Sequence, residues 1–217
     1  MMPEIAVAPE RPRGDRLDID MSTVLDWLRD YVSAPSEHIG RPGPVCPFVP
    51  GALKAGAIRL SFHYGVDACD ADELRELVTA ELREFKRLTE PPKQSGISLD
   101  SVLVVLPDAV EEGWRRIDES YGGLKDLAVG EGLMIGQFHP ACAEVAVRNP
   151  RFPVSRSPIA LYAIRHMAPH DALFLHVERG WFRKYAARFA LHARRSRTDP
   201  LISELYHRAW NRYGGGK

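Results

Sequence analysis

Gly132-Leu133-Met134-Ile135-Gly136-Gln137-Phe138-His139-Pro140-Ala141-Cys142 is the stretch that decides the fold. Its apolar first half reads as a short buried strand, and Pro140 stops the pairing because it has no backbone N–H to donate. An irregular stretch follows, and then a second strand from Ile159 to Met167, with no helical pattern between the two. Upstream, helices and strands alternate. A strand at 57–66 alternates Ile58, Leu60, Phe62 and Tyr64 with Arg59, Ser61 and His63. A helix at 71–89 places Leu74, Leu77, Val78, Leu82, Phe85 and Leu88 on one stripe, with Asp70 or Asp72 as its cap. Ser101 to Leu106 is an apolar, β-branched strand, and Pro107-Asp108 opens a helix that Gly122-Gly123 would stop. Interleaved elements that end in two successive strands predict an α+β fold. Its sheet is mixed or antiparallel, of about four strands, with helices on one face.

The flanks complete the outline. Residues 1–18 are rich in proline and charge and predict a mobile arm. A first helix is expected at about 20–33, with Ser22 as cap, and a loop punctuated by Pro35, Pro42, Pro44, Pro47 and Pro50 follows it. A long helix is expected from Pro169 through Phe189, and a short one near 200–212. The expected division is an arm at 1–18, one domain at 19–197, and a C-terminal helix and tail at 198–217. The chain is 45% hydrophobic and 27% charged with zero formal net charge, an ordinary globular composition without a bulk pull towards nucleic acid or membrane. No apolar stretch approaches the ~20 residues of a membrane helix, and the N-terminus lacks the basic-then-apolar layout of a signal peptide. With three cysteines, Cys46, Cys69 and Cys142, these features predict a cytoplasmic protein.

Four segments combine reactive and rigid residues. Prolines fix the backbone around Cys46 and Phe48, so that thiol is either a directed ligand or nucleophile, or a small apolar residue packed beside Phe48. His63, next to Tyr64 and Gly65, is a pocket donor or a half-exposed strand histidine. His139-x-x-Cys142 has the spacing of a metal pair, but a tetrahedral zinc site needs about four ligands and no second pair accompanies it. Arg151 and Arg156 stand in a proline-stiffened loop before a strand, suited to a carboxylate or phosphate, or simply solvated. The C-terminal region 179–217 sets ten basic residues against Asp199 and Glu204. A solvated helix face meeting the acidic helices accounts for it more simply than a nucleic-acid surface does. Phosphate-binding glycine loops, dinucleotide fingerprints and nucleophile elbows are absent from the sequence, which argues against those chemistries.

Taken in order, Cys46-Pro47-Phe48, the alternating strand, Leu103-Val104-Val105-Leu106, Phe138-His139-Pro140 and Arg156-Ser157-Pro158 resemble uncharacterised bacterial domains that share these signatures. More distantly they are similar to the YqcI/YcgG family, some of whose members are haem-dependent oxygenases of an amino-acid nitrogen. The resemblance spans roughly residues 45–175. It implies haem b as cofactor, with His139 as axial ligand and His63 as the second choice, because 149–158 holds no histidine. It further implies Arg156 and Arg151 on propionates or a substrate carboxylate, His63 and Tyr64 lining the pocket, and Cys46 and Phe48 as its wall. The expected partner is a small-molecule substrate, and a homodimer stays open. Two alternatives stand beside this one: a cofactor-free scaffold using the basic C-terminal helix, and a thiol enzyme with Cys46 as nucleophile and His63 or His139 as base.

Overall fold

The structure, a computed structural model, describes residues 5–7, 14–93, 96–195 and 199–214. In chain order the elements are β1 (Ile5–Val7), α1 (Gly14–Trp27), α2 (Val49–Ala55), β2 (Ile58–Phe62), α3 (Ala71–Leu88), β3 (Ser101–Leu106) and α4 (Glu111–Gly130). They continue with β4 (Leu133–Phe138), β5 (Val145–Ala146), β6 (Asn149–Pro153), β7 (Ala160–His166), α5 (Ala172–Leu175), α6 (Arg179–Arg195) and α7 (Pro200–Tyr213). The main sheet has the order β1-β2-β3-β7-β4, and β5 and β6 form a small ribbon beside it. β1, β2 and β3 are mutually parallel, whereas β7 runs antiparallel to both β3 and β4. The class is α+β with a mixed sheet, and the four strands expected from the sequence are β2, β3, β4 and β7.

The helices, however, cover both faces of the sheet rather than one. Val102, Val104, Leu106, Ile135, Tyr162 and Ile164 face α3 and α4, where they meet Leu74, Val78, Leu82, Phe85, Ile117 and Leu124. On the other side Leu60, Phe62, Leu103, Val105 and Leu161 meet Val24, Leu28 and Ala52 from α1, its continuation and α2. The physical sign was the near-continuous apolar run of β3, because a strand covered on both faces loses its polar alternation. A third cluster joins Phe182, Tyr185 and Phe189 of α6 to Ile202 and Tyr206 of α7 at the end of the sheet.

Several boundaries differ from expectation, each for a local reason. Ile5–Val7 pair with Leu60–Phe62, and Gly14–Asp18 are the opening turn of α1, so these parts of the expected arm belong to the fold. The rest of that arm, and Arg197 and Lys217 of the basic tail, lie outside the described residues. Ser22 sits inside α1 and turns its hydroxyl back to the Asp18 carbonyl at 2.8 Å instead of capping. Asp70 does cap α3, accepting from the backbone N–H groups of Asp72 at 2.8 Å and Glu73 at 3.2 Å. The helix expected from Pro169 to Phe189 is broken after Leu175, where Phe174 and Val177 turn to solvent.

α4 passes through Gly122-Gly123 and continues to Gly130, because Leu124, Ala128 and Val129 extend its buried stripe. Packing there outweighs the helix penalty of glycine, up to about 1 kcal/mol each. Its start and its middle make opposite demands on glycine. A Cβ at Gly113 would stand 2.7 Å from the Ala68 Cβ, while one at Gly122 would meet nothing within 4 Å. Gly122→Ala is therefore expected to raise stability by up to about 1 kcal/mol. Gly113→Ala is expected to give a net loss, its clash of about 1–3 kcal/mol exceeding the propensity gain. Chemical denaturation of the two variants reads the opposite signs.

Candidate functional site between α4 and the end of β4

Trp114, Asp118, Tyr121 and Lys125 follow one another at helical spacing on the side of α4 that faces β4. The period of two on β4 points Ile135, Gln137 and then His139 towards that helix. His139 is 1% exposed, with its ring stacked against Trp114 at 6.1 Å and 21°. Its Nε2 lies 3.0 Å from Asp118 Oδ1, and the same oxygen accepts from Gln137 Nε2 at 2.7 Å. A carboxylate oxygen only accepts, so Nε2 carries a proton; in the neutral ring Nδ1 then keeps a lone pair. That Nδ1 is buried without a hydrogen-bond partner, as is Gln137 Oε1. The Asp118 side chain is 42% exposed, which opens the cluster to solvent.

After Phe138 the chain folds back on itself. The backbone N–H of Cys142 donates to the His139 carbonyl at 3.1 Å and that of Ser157 to the same oxygen at 3.4 Å. The Cys142 side chain is thereby buried beside His139. One ligand atom each from Asp118, His139 and Cys142 lie within 4.8 Å of one another. Burial pushes the Cys142 thiol up, against a hydrogen bond from the Glu144 backbone; the Asp118 and Glu144 carboxylates add to the rise and the nearby Arg156 guanidinium opposes it. Burial likewise raises the Tyr162 hydroxyl, which sits opposite Gln137 in the strand ladder.

The expected site residues fall into four separate places. His139, Arg156 and Cys142 are brought together. Arg156 is exposed, and its backbone carbonyl accepts from Trp27 Nε1 at 2.9 Å. Arg151 is exposed on β6. Cys46 and Phe48 lie towards the far end of β7, where Phe48 packs 5.1 Å under the Arg165 guanidinium and edge-on to His170 at 5.8 Å. Arg165 pairs with Met134 in the ladder, so that end is about 16 Å along the strand from His139. Cys46 is a half-buried free thiol in the apolar cluster under α1, its N–H donating to the Val32 carbonyl at 3.0 Å.

His63 and Tyr64 follow β2, three strand positions or about 14 Å from β4. His63 Nε2 lies 2.9 Å from Glu81 Oε1 and 3.0 Å from Ser61 Oγ, and Arg59 reaches Glu81 at 3.2 Å. A proton relay needs one partner on each imidazole nitrogen; here both sit on Nε2, so the group is an ion network between β2 and α3. Tyr64 donates to Asp20 at 2.8 Å.

The haem implied by the resemblance finds no free Nε2 on either histidine. An axial imidazole needs a free nitrogen facing an open slot. Nε2 of His139 meets Asp118, Nε2 of His63 meets Glu81 and Ser61, and His139 Nδ1 is buried. Two open clefts lie over the outer face of α3 and beside Pro35–Gly43, and neither is lined by His139, Cys142 or Arg156. The basic α6 is turned onto α4, with Trp181 Nε1 donating to Asp126 at 2.6 Å and Lys184 to the carbonyl of Gly130 at 3.1 Å, at the negative end of that helix.

Sequence reasoning missed Asp118, Gln137 and Trp114. Asp118 lies 21 residues from His139 and no local spacing marks it. Its one signal was helical register with Trp114. The chain belongs to the family described as "Domain of unknown function (DUF6875)", which matches residues 21–199. No curated protein and no solved structure matches it. Among the described residues no helix is long and apolar enough to cross a membrane.

Glu81 yields a test of the second cluster. Burial alone would push its carboxyl up, but hydrogen bonds from His63 and Ser61 and the Arg59 charge outweigh it and hold it below its ordinary 4.5. A carboxyl lowered on folding stabilises above its unfolded value, and that contribution disappears as pH falls through the folded value. Urea midpoints measured at pH 7 and at about pH 4 are expected to fall on acidification, and to fall less in Glu81→Gln.

Proposed function

We propose that this chain is an enzyme acting on a small amine that bears a carboxylate, with Nδ1 of His139 as its reactive centre. The observation that supports this is the unpartnered Nδ1 itself. Leaving a buried acceptor without a partner costs about 1–3 kcal/mol, and a part in a reaction would account for that cost. Asp118 fixes the tautomer and Trp114, stacked on one ring face, holds the ring in place, so the in-plane lone pair of Nδ1 keeps one direction. Arg156, an exposed guanidinium on the Cys142 side, suits a substrate carboxylate through paired charged hydrogen bonds. Oxidation at nitrogen, the reaction class implied by the sequence resemblance, needs an oxidant that these residues do not supply, so the reading stops at binding and proton transfer by His139. No part of it is routed through haem.

The thiol alternative receives less support. Cys46 lies apart from both histidines, and the Cys142 thiol, raised by burial, is a poor nucleophile without further activation.

A thermal-shift panel of amino acids, other amines and simple carboxylates tests the reading. At least one carboxylate-bearing amine is expected to stabilise the protein, and Arg156→Ala to weaken that ligand about 10- to 100-fold. A panel with no such ligand, or one bound equally well by Arg156→Ala, would contradict it.

A further inference from the structure

We propose that Trp27, Tyr31 and Phe138 form a shelf for the aromatic side chain of an amino acid whose carboxylate sits on Arg156. The inference deepens the reading of Arg156 as the carboxylate anchor and rests on it. The three rings meet at the end of β4, on the rim of the apolar cluster under α1. Trp27, the last residue of α1, stands edge-on to Phe138 at 5.5 Å and stacks with Tyr31 at 6.4 Å and 22°. Phe152 of β6 extends the row from Tyr31 at 6.5 Å. Each of these rings is partly exposed rather than sealed in the core. A contiguous row of half-exposed rings differs from scattered single ones, because joined apolar surface is what marks a binding site.

The polar tips of the shelf are already engaged. The Trp27 indole N–H donates to the Arg156 carbonyl at 2.9 Å, and the Tyr31 hydroxyl to the Val154 carbonyl at 3.1 Å. Both bonds go to the loop that carries Arg156. Rings and guanidinium therefore share one frame, and little ordering is left for a ligand to impose. What the shelf offers is ring face and ring edge, which suit another aromatic ring. Charge decides the rest of the occupant. Arg156 is exposed, and among the described residues its guanidinium has no carboxylate or ring partner. Burial raises the Tyr31 hydroxyl and the Arg156 charge pulls it back; the same charge opposes the rise at Cys142. That charge acts both on the shelf and on the Cys142 side of the strand end. An unpaired cation beside rings with no free donor fits an anion on an aromatic frame; it disfavours a sugar, which needs many hydrogen bonds, and a polyamine, which it repels.

Two matched pairs of probes test it. 3-Phenylpropanoate carries the ring and the carboxylate without an amine, and propanoate is its ringless counterpart; L-phenylalanine and L-alanine are the same pair with the amine. Each is titrated calorimetrically into the full chain. The ringed member of each pair is expected to bind at least about 10-fold more tightly than the ringless one. Trp27→Leu is expected to erase that preference, and Trp27→Phe, which keeps a flat ring, to retain it. Because Trp27 also holds the Arg156 loop, a measurement on the unaltered protein guards against misfolding. Nuclear Overhauser contacts are expected between the ring protons of 3-phenylpropanoate and the Trp27 indole, whose signals are assigned by their loss in Trp27→Phe. Equal binding within the pairs, a preference that survives Trp27→Leu, or absence of those contacts overturns the proposal. Arg156-dependent binding of L-alanine with no preference for the ring removes the shelf alone. A Trp27-dependent preference for 3-phenylpropanoate, with no gain from the amine of L-phenylalanine, keeps the shelf and removes the amine from the functional reading instead.

Discussion

β7 enters the sheet between β3 and β4 and runs against both. Its first residues therefore come up beside the last residues of β4, with Leu161 opposite Phe138 and Tyr162 opposite Gln137. The loop that leads into β7 has to cross the end of β4, and Arg156 and Ser157 lie on that loop. The Ser157 N–H closes it onto the His139 carbonyl, and the Cys142 N–H uses the same oxygen. One antiparallel insertion thus gathers a histidine, a thiol and an arginine that the sequence spreads over 18 positions.

Asp118 is the point where this strand end meets the helical layer. Its carboxylate oxygen accepts from both Gln137 and His139, tying α4 to β4 in a strongly polar contact inside an otherwise apolar interface. α4 has to be long and well seated for that contact to hold. The buried stripe beyond Gly122-Gly123 and the close approach at Gly113 seat it at both ends. The contact satisfies one side of the imidazole and leaves the other side wanting.

The elements of the fold were largely legible in the sequence, because β2, α3, β3, β4 and β7 each announce themselves by period and by proline or aspartate at their ends. Their arrangement was less so. The apolar run of β3 held the evidence for a sheet covered on both faces, yet a short apolar run reads equally well as one buried face. Gly122-Gly123 looked like a stop because local propensity was all the sequence displayed, while the buried residues beyond it decided the matter. At the site, His139, Cys142 and Arg156 were visible from spacing and loop chemistry. Asp118 was not, since its role depends on which face of α4 meets β4. Cys46, His63 and Tyr64 drew notice for chemical type, and the topology sets them at other places in the sheet. The family shares the silence of the sequence on activity, so the chemistry of the cluster is the guide to function.

The whole account turns on which nitrogen of His139 bears the proton. Long-range proton–nitrogen correlation NMR of the protein, with His139 assigned by its loss in His139→Gln, reads this directly. The account predicts a neutral ring protonated at Nε2, with Nδ1 showing the shift of an unprotonated nitrogen. A proton on Nδ1, with Nε2 bare against Asp118, would contradict it.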